Sequence, residues 1–380
     1  MKLKPGDRPR VLRGHPWVYA NEIQELLGPD WNGRAVECRD ARGRLLGSGI
    51  YNQTSQILWR KFSSGKTDFD RACLSQAIQA AIQRRNAEPV QRLVWSESDF
   101  IPGLVVDKYN NVLVVQALTL AVDRMTDQIG EILRKATGAG TILLKNDAPV
   151  RSKEGLGLEV RMLSGGPVEA GWTRIGEIEF WLDLAGGQKT GFYLDQRKEY
   201  SKVAGYCAGK RVLDAFCNQG GFALHAAKAG ASEALGIDAS SDAVALAEKN
   251  AAHNNLNAKF LAENVFDYFK RERKKTWDVI ILDPPAFAKS REKLPEAMRG
   301  YKELNLRAFQ RLSPGGILAS YSCSHHVSHD HYFQMLAEAA ADAGRTVRML
   351  ELCRQPDDHP VLLNVPESEY LRGFIMEVLG

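Results

Sequence analysis

The spacing of apolar positions along the chain changes twice, and the changes divide it into three segments. Residues 1–72 carry short apolar stretches broken by Gly and Asp turns: 33–38 (GRAVEC), 45–51 (LLGSGIY) and 56–62 (QILWRKF). Strands of this length, with the turn Asp40-Ala-Arg-Gly43 between the first two, predict a small β-barrel. Residues 70–88 then repeat apolar side chains at helical spacing (Leu74, Ile78, Ala81, Ile82) until Pro89 stops them. Across 73–184 the pattern predicts a small α+β module. Residues 93–96, 103–108 and 112–118 read as antiparallel strands with a hairpin turn at Tyr109-Asn110-Asn111. Residues 123–137 read as a helix, and 141–145 and 159–162 as further strands. Nothing in this module suggests chemistry.

Residues 185–380 alternate strand and helix with a steady rhythm. Strands fall at 212–216, 234–238, 259–262, 279–283 and 316–321, and helices at 222–229, 242–253, 265–272, 301–312 and 331–343. Such alternation predicts a parallel, doubly wound α/β sheet. Two closing strands, 346–353 and 371–379, have no helix between them, which predicts one antiparallel strand at the end of the sheet. The whole is the outline of a C-terminal Rossmann-like, seven-strand class I methyltransferase domain, preceded by a small β-barrel and a small α+β domain.

Composition and charge narrow the class. With 44% hydrophobic and 25% charged residues over 380 positions, the chain reads as a soluble globular protein of two or three domains. No apolar run approaches the ~20 residues that span a bilayer, and no apolar stretch follows the basic start as in a secretory signal. Six cysteines, at 38, 73, 207, 217, 323 and 353, show no paired spacing. That argues against a disulfide framework or a structural zinc site and fits a reducing cytoplasm. Net charge is only +4, but residues 1–72 hold 13 Lys and Arg against 8 Asp and Glu. A basic N-terminal segment attracts phosphate backbones, although an ordinary solvated surface has the same composition.

Ligands of a doubly wound sheet bind beyond the carboxyl ends of its strands, so the turns there hold the candidates. After the first strand comes Asp214-Ala-Phe-Cys-Asn-Gln-Gly220-Gly221, where the glycines let backbone pass close to a ligand. It is not GxGxxG and lacks a pyrophosphate cradle. Asp214 is suited to an ammonium group such as that of a methionine moiety. The second strand ends at Asp238, 18 residues after Gly220, where an acidic residue binds ribose hydroxyls. The third ends at Glu263-Asn264, where an amide suits an adenine edge. Together these predict a nucleoside cofactor, against the plain alternative of tight turns. Upstream, residues 188–197 (QKTGFYLDQR) crowd polar and aromatic groups before a helix that Asp195 is placed to cap.

The fourth strand ends in Asp283-Pro284-Pro285-Ala286-Phe287. Two prolines stop the ladder and stiffen the chain, holding a carboxylate and an aromatic where they suit a flat base. The fifth ends at Cys323-Ser324, ahead of a helix start that would favour a thiolate. A thiolate adding to C6 of cytosine makes C5 nucleophilic toward a methyl sulfonium, and Asp283 would hold or protonate N3. His325, His326, His329 and His331 match no metal motif, so no metal is expected. Residues 270–275 (KRERKK) read as a solvated helix end that could touch RNA phosphates.

DAFCNQGGFA, GIDAS, LDPPAFAKS, SYSCS and above all GQKTGFYLDQR resemble the bacterial large-subunit rRNA cytosine-5 methyltransferases, and GDRPRVLRGHPWVYANEI resembles their RNA-binding PUA domain. The resemblance covers essentially the whole chain. It implies S-adenosyl-L-methionine held by Gln196, Asp214, Gly220, Asp238 and Asn264. Cys323 is then the nucleophile and Asp283 its partner, acting on 23S rRNA. Many RNA cytosine-5 methyltransferases carry a second cysteine after the fourth-strand proline. This chain has Pro285-Ala286 there, so elimination needs another base, a histidine after Cys323 or a water. Three rivals remain: a base N-methyltransferase without a cysteine nucleophile, an RNA-binding assembly factor without catalysis, and a small-molecule methyltransferase. An exposed edge strand offers a route to a homodimer.

Overall fold

The computed structural model describes residues 1–5, 10–187, 189–287, 290 and 292–379. Residues 6–9, Gln188, Ala288 and Lys289 of the motifs above lie outside the described residues. The chain forms two compact units: Met1–Gly171 with Leu182–Leu194 and Asp357–Ser368, and Trp172–Trp181 with Asp195–Pro356 and Glu369–Gly380.

The first unit contains two sheets. β1 (Trp17–Tyr19), β2 (Ala35–Arg39), β3 (Leu45–Tyr51) and β4 (Ile57–Ser63) form an antiparallel sheet of order β1-β4-β3-β2 over Val18, Val36, Cys38 and Trp59. Asp70 caps α1 (Arg71–Gln83), its carboxylate accepting the Cys73 N–H at 2.9 Å. That helix stops short of the expected residue 88. The next turn instead sends the Arg85 guanidinium to Asp99 at 2.5 Å and to the Arg92 carbonyl at 3.1 Å.

The second sheet follows chain order. It holds β5 (Val90–Trp95), β6 (Leu104–Tyr109), β7 (Val112–Ala117), β8 (Thr141–Asn146) and β9 (Glu159–Ser164). Asn110, at φ +55°, makes the β6–β7 turn, and α2 (Leu120–Asp123) and α3 (Thr126–Thr137) carry the chain over to β8, parallel to β7. Asp107 is fully buried, gripped by Arg92 through two 2.8 Å bonds, and also accepts the Thr190 hydroxyl at 2.5 Å. That bond ties residues 182–194 into this unit.

The second unit opens with a hairpin that the sequence pattern does not single out, β10 (Gly171–Ile175) and β11 (Ile178–Leu182), followed by α4 (Arg197–Ala204). The alternating part is β12 (Arg211–Ala215), α5 (Gly221–Lys228), β13 (Glu233–Asp238), α6 (Ser241–His253), β14 (Lys259–Ala262) and α7 (Val265–Arg271). It continues with β15 (Trp277–Leu282), α8 (Leu294–Arg311), β16 (Leu312–Ser322), α9 (His329–Asp342), β17 (Val347–Arg354) and β18 (Arg372–Val378). The seven strands order as β14-β13-β12-β15-β16-β18-β17, with β12 to β16 parallel and β18 antiparallel to both its neighbours. The antiparallel strand is therefore the last in the chain, and it lies inside the sheet rather than at its end. β15 reads as a nearly continuous apolar run because helices cover both faces.

α8 begins seven residues before the expected start at 301. Gly300 weakens the helical signal in the sequence, since glycine disfavours helix interiors. Its reason is packing: a β-carbon there would lie 3.3 Å from Phe287 Cδ2. Asn250, fully buried on α6, accepts the Trp181 N–H at 2.9 Å and donates to the Gln219 carbonyl at 3.1 Å. It joins the hairpin to the loop after β12. Asn250→Leu strands both backbone groups, so chemical denaturation should show a loss of about 2–4 kcal/mol.

Candidate active site

The chain lays down β12, β13 and β14 outward and then returns to pair β15 with β12, so a crevice opens between β12 and β15 at their carboxyl ends. Asp214, next to last in β12, is fully buried there. One oxygen accepts the Ala223 N–H at 2.9 Å in the first turn of α5, and Oδ1 has no partner among the described residues. The intervening loop is held in an uncommon backbone. Phe216 (φ +75°), Asn218 (φ +46°) and Gly220 (φ +88°) are all left-handed. Phe216 and Cys217 both donate to the Ile237 carbonyl, at 2.8 and 2.9 Å. Asp238 fastens the same loop by accepting the Asn218 N–H at 2.9 Å, and its other oxygen accepts the Ser240 N–H at the start of α6, also at 2.9 Å. Each carboxylate oxygen keeps a further lone pair for a ribose hydroxyl.

Gln196 is 3% exposed, and neither its Oε1 nor its Nε2 finds a partner among the described residues. It occupies the N-cap position of α4 without capping it. The expectation that Asp195 caps this helix is corrected. A 3₁₀ turn, Leu194–Gln196, moves the cap one residue on, and Asp195 accepts the Tyr370 hydroxyl at 3.0 Å. Gln219 Oε1, which sequence reasoning passed over, is likewise buried and unsatisfied. Asn264 is exposed and caps α7, accepting the Phe266 N–H at 2.9 Å. Buried amide and carboxylate atoms without partners are expensive unless a ligand completes them, so these residues fit a polar, nucleoside-bearing cofactor. Burial pushes the Asp214 carboxyl up to about 8, and the negative charges of Asp283 and Asp238 add to the rise against the Ala223 N–H.

Because β15 and β16 are parallel neighbours, with Leu282 opposite Ser320, their ends bring Asp283 and Cys323 to the same edge. Cys323 Sγ lies 3.9 Å from the Pro284 carbonyl oxygen. Cys38, Cys207, Cys217 and Cys353 are buried, whereas Cys323 is half-exposed at its strand end. Tyr301, which the sequence offered only as a helix start, organises this edge. Its hydroxyl accepts from Ser322 at 3.1 Å and shares a 2.9 Å bond with Ser324, and both serines are fully buried. Its ring stands 4.7 Å from that of Phe287. The residues on either side of Cys323 are thereby fixed. The histidines go separate ways: His329 pairs with Glu369 at 3.1 Å, and His325 stands beside the Tyr370 ring. Among the described residues no helix is long and apolar enough to cross a membrane.

A sheet of this order, with polar atoms at its switch point unsatisfied among the described residues, has the class I methyltransferase fold and suits a nucleoside-bearing cofactor. The chain belongs to the S-adenosylmethionine-dependent methyltransferase family, whose model matches residues 121–366, and residues 1–64 match a PUA-like domain. It is 37% identical to a ribosomal RNA large subunit methyltransferase I of Aeromonas hydrophila over 98% of both chains. It is 38% identical to one of Photobacterium profundum over 98% of this chain and 97% of that one. A crystal structure of a methyltransferase complexed with SAH superposes with a TM-score of 0.83 over 97% of each chain, at 21% identity. A Streptococcus mutans protein described as SAM-dependent reaches 0.85 over 100% and 99%, also at 21%.

The raised Asp214 carboxyl gives the site a pH signature. With a value of about 8 the free side chain is largely neutral at pH 6. A cofactor held at Asp214 by an ammonium group would favour the carboxylate and so expel a proton on binding. Affinity for S-adenosylmethionine should rise from pH 6 to 7.5. Calorimetry in two buffers of different ionisation enthalpy should detect the released proton, and Asp214→Asn should bind more weakly and without either effect.

Proposed function

We propose that this chain methylates large-subunit (23S) ribosomal RNA in the cytoplasm, forming 5-methylcytosine through an adduct with Cys323. The observation that carries the reading is the meeting of Cys323 with the Asp283-Pro284 turn beside the β12 crevice. The RNA substrate is supported by relatives named ribosomal RNA large subunit methyltransferase I, 37–38% identical over nearly the whole chain. A PUA-like segment at residues 1–64 gives the substrate a second hold. Exposed Met349, Leu350 and Leu352 on the edge strand β17 support pairing of two copies.

S-adenosylmethionine supplies an electrophilic methyl on its sulfonium, and Gln196, Asp214, Gly220, Asp238 and Asn264 are the residues proposed to hold it. Cys323 Sγ, as thiolate, bonds to C6 of the cytosine, and the displaced electron pair makes C5 nucleophilic. Asp283 holds N3 and protonates it as the charge develops. C5 takes the methyl while the S–CH₃ bond breaks. A base then removes the C5 proton, the C6–S bond breaks, N3 returns its proton to Asp283, and the ring double bond is restored. Phe287 offers a face for the ring to stack upon.

Nucleoside mass spectrometry of rRNA treated with wild type and with Cys323→Ala tests this chemistry. 5-Methylcytidine should appear with wild type and be lost with the variant. An N-methylated base, or full activity in the variant, would instead favour an enzyme without a cysteine nucleophile. Tyr301→Phe removes one buried hydroxyl partner from each serine beside Cys323. Single-turnover methyl transfer should slow roughly tenfold, in line with about 1–3 kcal/mol for a stranded buried group. S-adenosylmethionine affinity should stay unchanged.

A further inference from the structure

A groove of about 490 Å³ opens where the end of α7 meets the last turns of α8. Lys270, Arg273, Arg307 and Arg311 line it, and Glu303 is the lining carboxylate. The helical spacing of Glu303, Arg307 and Arg311 puts them on one face of α8. Glu303 is engaged by Arg307, and Lys270 reaches Asp267 at 3.2 Å. Arg273 Nε donates to the Lys270 carbonyl at 3.0 Å, and no carboxylate pairs with its guanidinium among the described residues. Arg311 is half-buried, with Nε unsatisfied among the described residues and one long bond, 3.5 Å, from Nη2 to the Phe269 carbonyl. Burial and the charges of Arg307 and Arg273 all disfavour its protonated form. Cations at helix ends are favoured singly by the helix dipole, but that does not explain why four converge with one carboxylate among them. A bound anion would relieve the crowding and complete the Arg311 fork.

We propose that this groove binds the phosphodiester backbone of the RNA substrate, on the sheet edge opposite the methyl-transfer site. α7 and α8 end where β15 and β16 begin, whereas Asp283 and Cys323 stand where those strands end. β15 has six residues, and at about 3.3 Å per residue the two places lie roughly 20 Å apart. A strand of folded RNA reaching around the domain spans that distance and gains a positioning hold that reads no sequence. The inference rests on the RNA substrate proposed above.

Binding of a labelled large-subunit rRNA fragment, followed by fluorescence anisotropy across a salt series, tests it in the full-length protein. Arg273→Ala/Arg307→Ala should weaken binding and lower the slope of log affinity against log salt by roughly 1.5, at about 0.7–0.9 per phosphate contact. Its melting temperature and S-adenosylmethionine affinity should match wild type. The control Arg174→Ala/Lys228→Ala, exposed and outside the groove, should keep the wild-type slope. If wild type binds RNA and the groove variant keeps its slope, or the control falls equally, the groove is not an RNA site. If the variant loses binding to polyglutamate but not to RNA, the groove serves an acidic protein. Absence of any salt-dependent RNA complex in wild type would overturn the RNA reading itself.

Discussion

Parallel pairing of β12 with β13 on one side and β15 on the other is the constraint from which the catalytic unit follows. A parallel neighbour can be reached only by a crossover, so each strand is followed by a helix and each strand end feeds a tight turn. Because the chain leaves β12 in one direction and comes back to its other side, the turns after β12 and β15 diverge and leave a crevice. The same pairing fixes register, so Asp214, Asp238, Asp283 and Cys323 all arrive at one edge of one sheet although more than a hundred positions separate the first from the last.

That convergence sets the electrostatics. Burial makes Asp214 hold its proton, and the neighbouring carboxylates of Asp283 and Asp238 on adjoining strand ends add to the effect. The second Asp214 oxygen, the Gln196 amide and Gln219 Oε1 are left without partners among the described residues, an arrangement stable only where something polar completes it. A left-handed Phe216 belongs to the same account. Strained backbone persists where the surroundings over-determine it, here through two bonds to the Ile237 carbonyl and one to Asp238.

The edge that holds Asp283 and Cys323 depends on a smaller lattice. Tyr301 reaches from α8 to the serines on both sides of Cys323 and stacks near Phe287, and Gly300 gives the Phe287 ring its room. A helix residue therefore holds two turns that belong to different strands. Ser320 extends the lattice inward through Asn305 and Tyr332, all of them buried. A hydroxyl network of this kind specifies one arrangement, since each member loses its partner if another shifts.

The sequence by itself determined the alternation of strands and helices in the second unit and the strand ends, because short continuous apolar runs, helical spacing of 3.6 and the turns between them are local properties. Asp214, Asp238, Asp283 and Cys323 were legible as residues at those ends. Tertiary structure decided what is non-local. The place of β18 inside the sheet, the hairpin at β10 and β11, the shift of the α4 cap from Asp195 to Gln196 and the early start of α8 all depend on neighbours distant in sequence. Tyr301 and Gln219 carried no signal of their own, for a tyrosine in a helix and a glutamine in a loop are ordinary. They became notable only where folding gave one two serine partners and left the other's oxygen none among the described residues. Spacing along a chain records which face a residue takes, whereas its partners are fixed only when separate strands and helices close against each other.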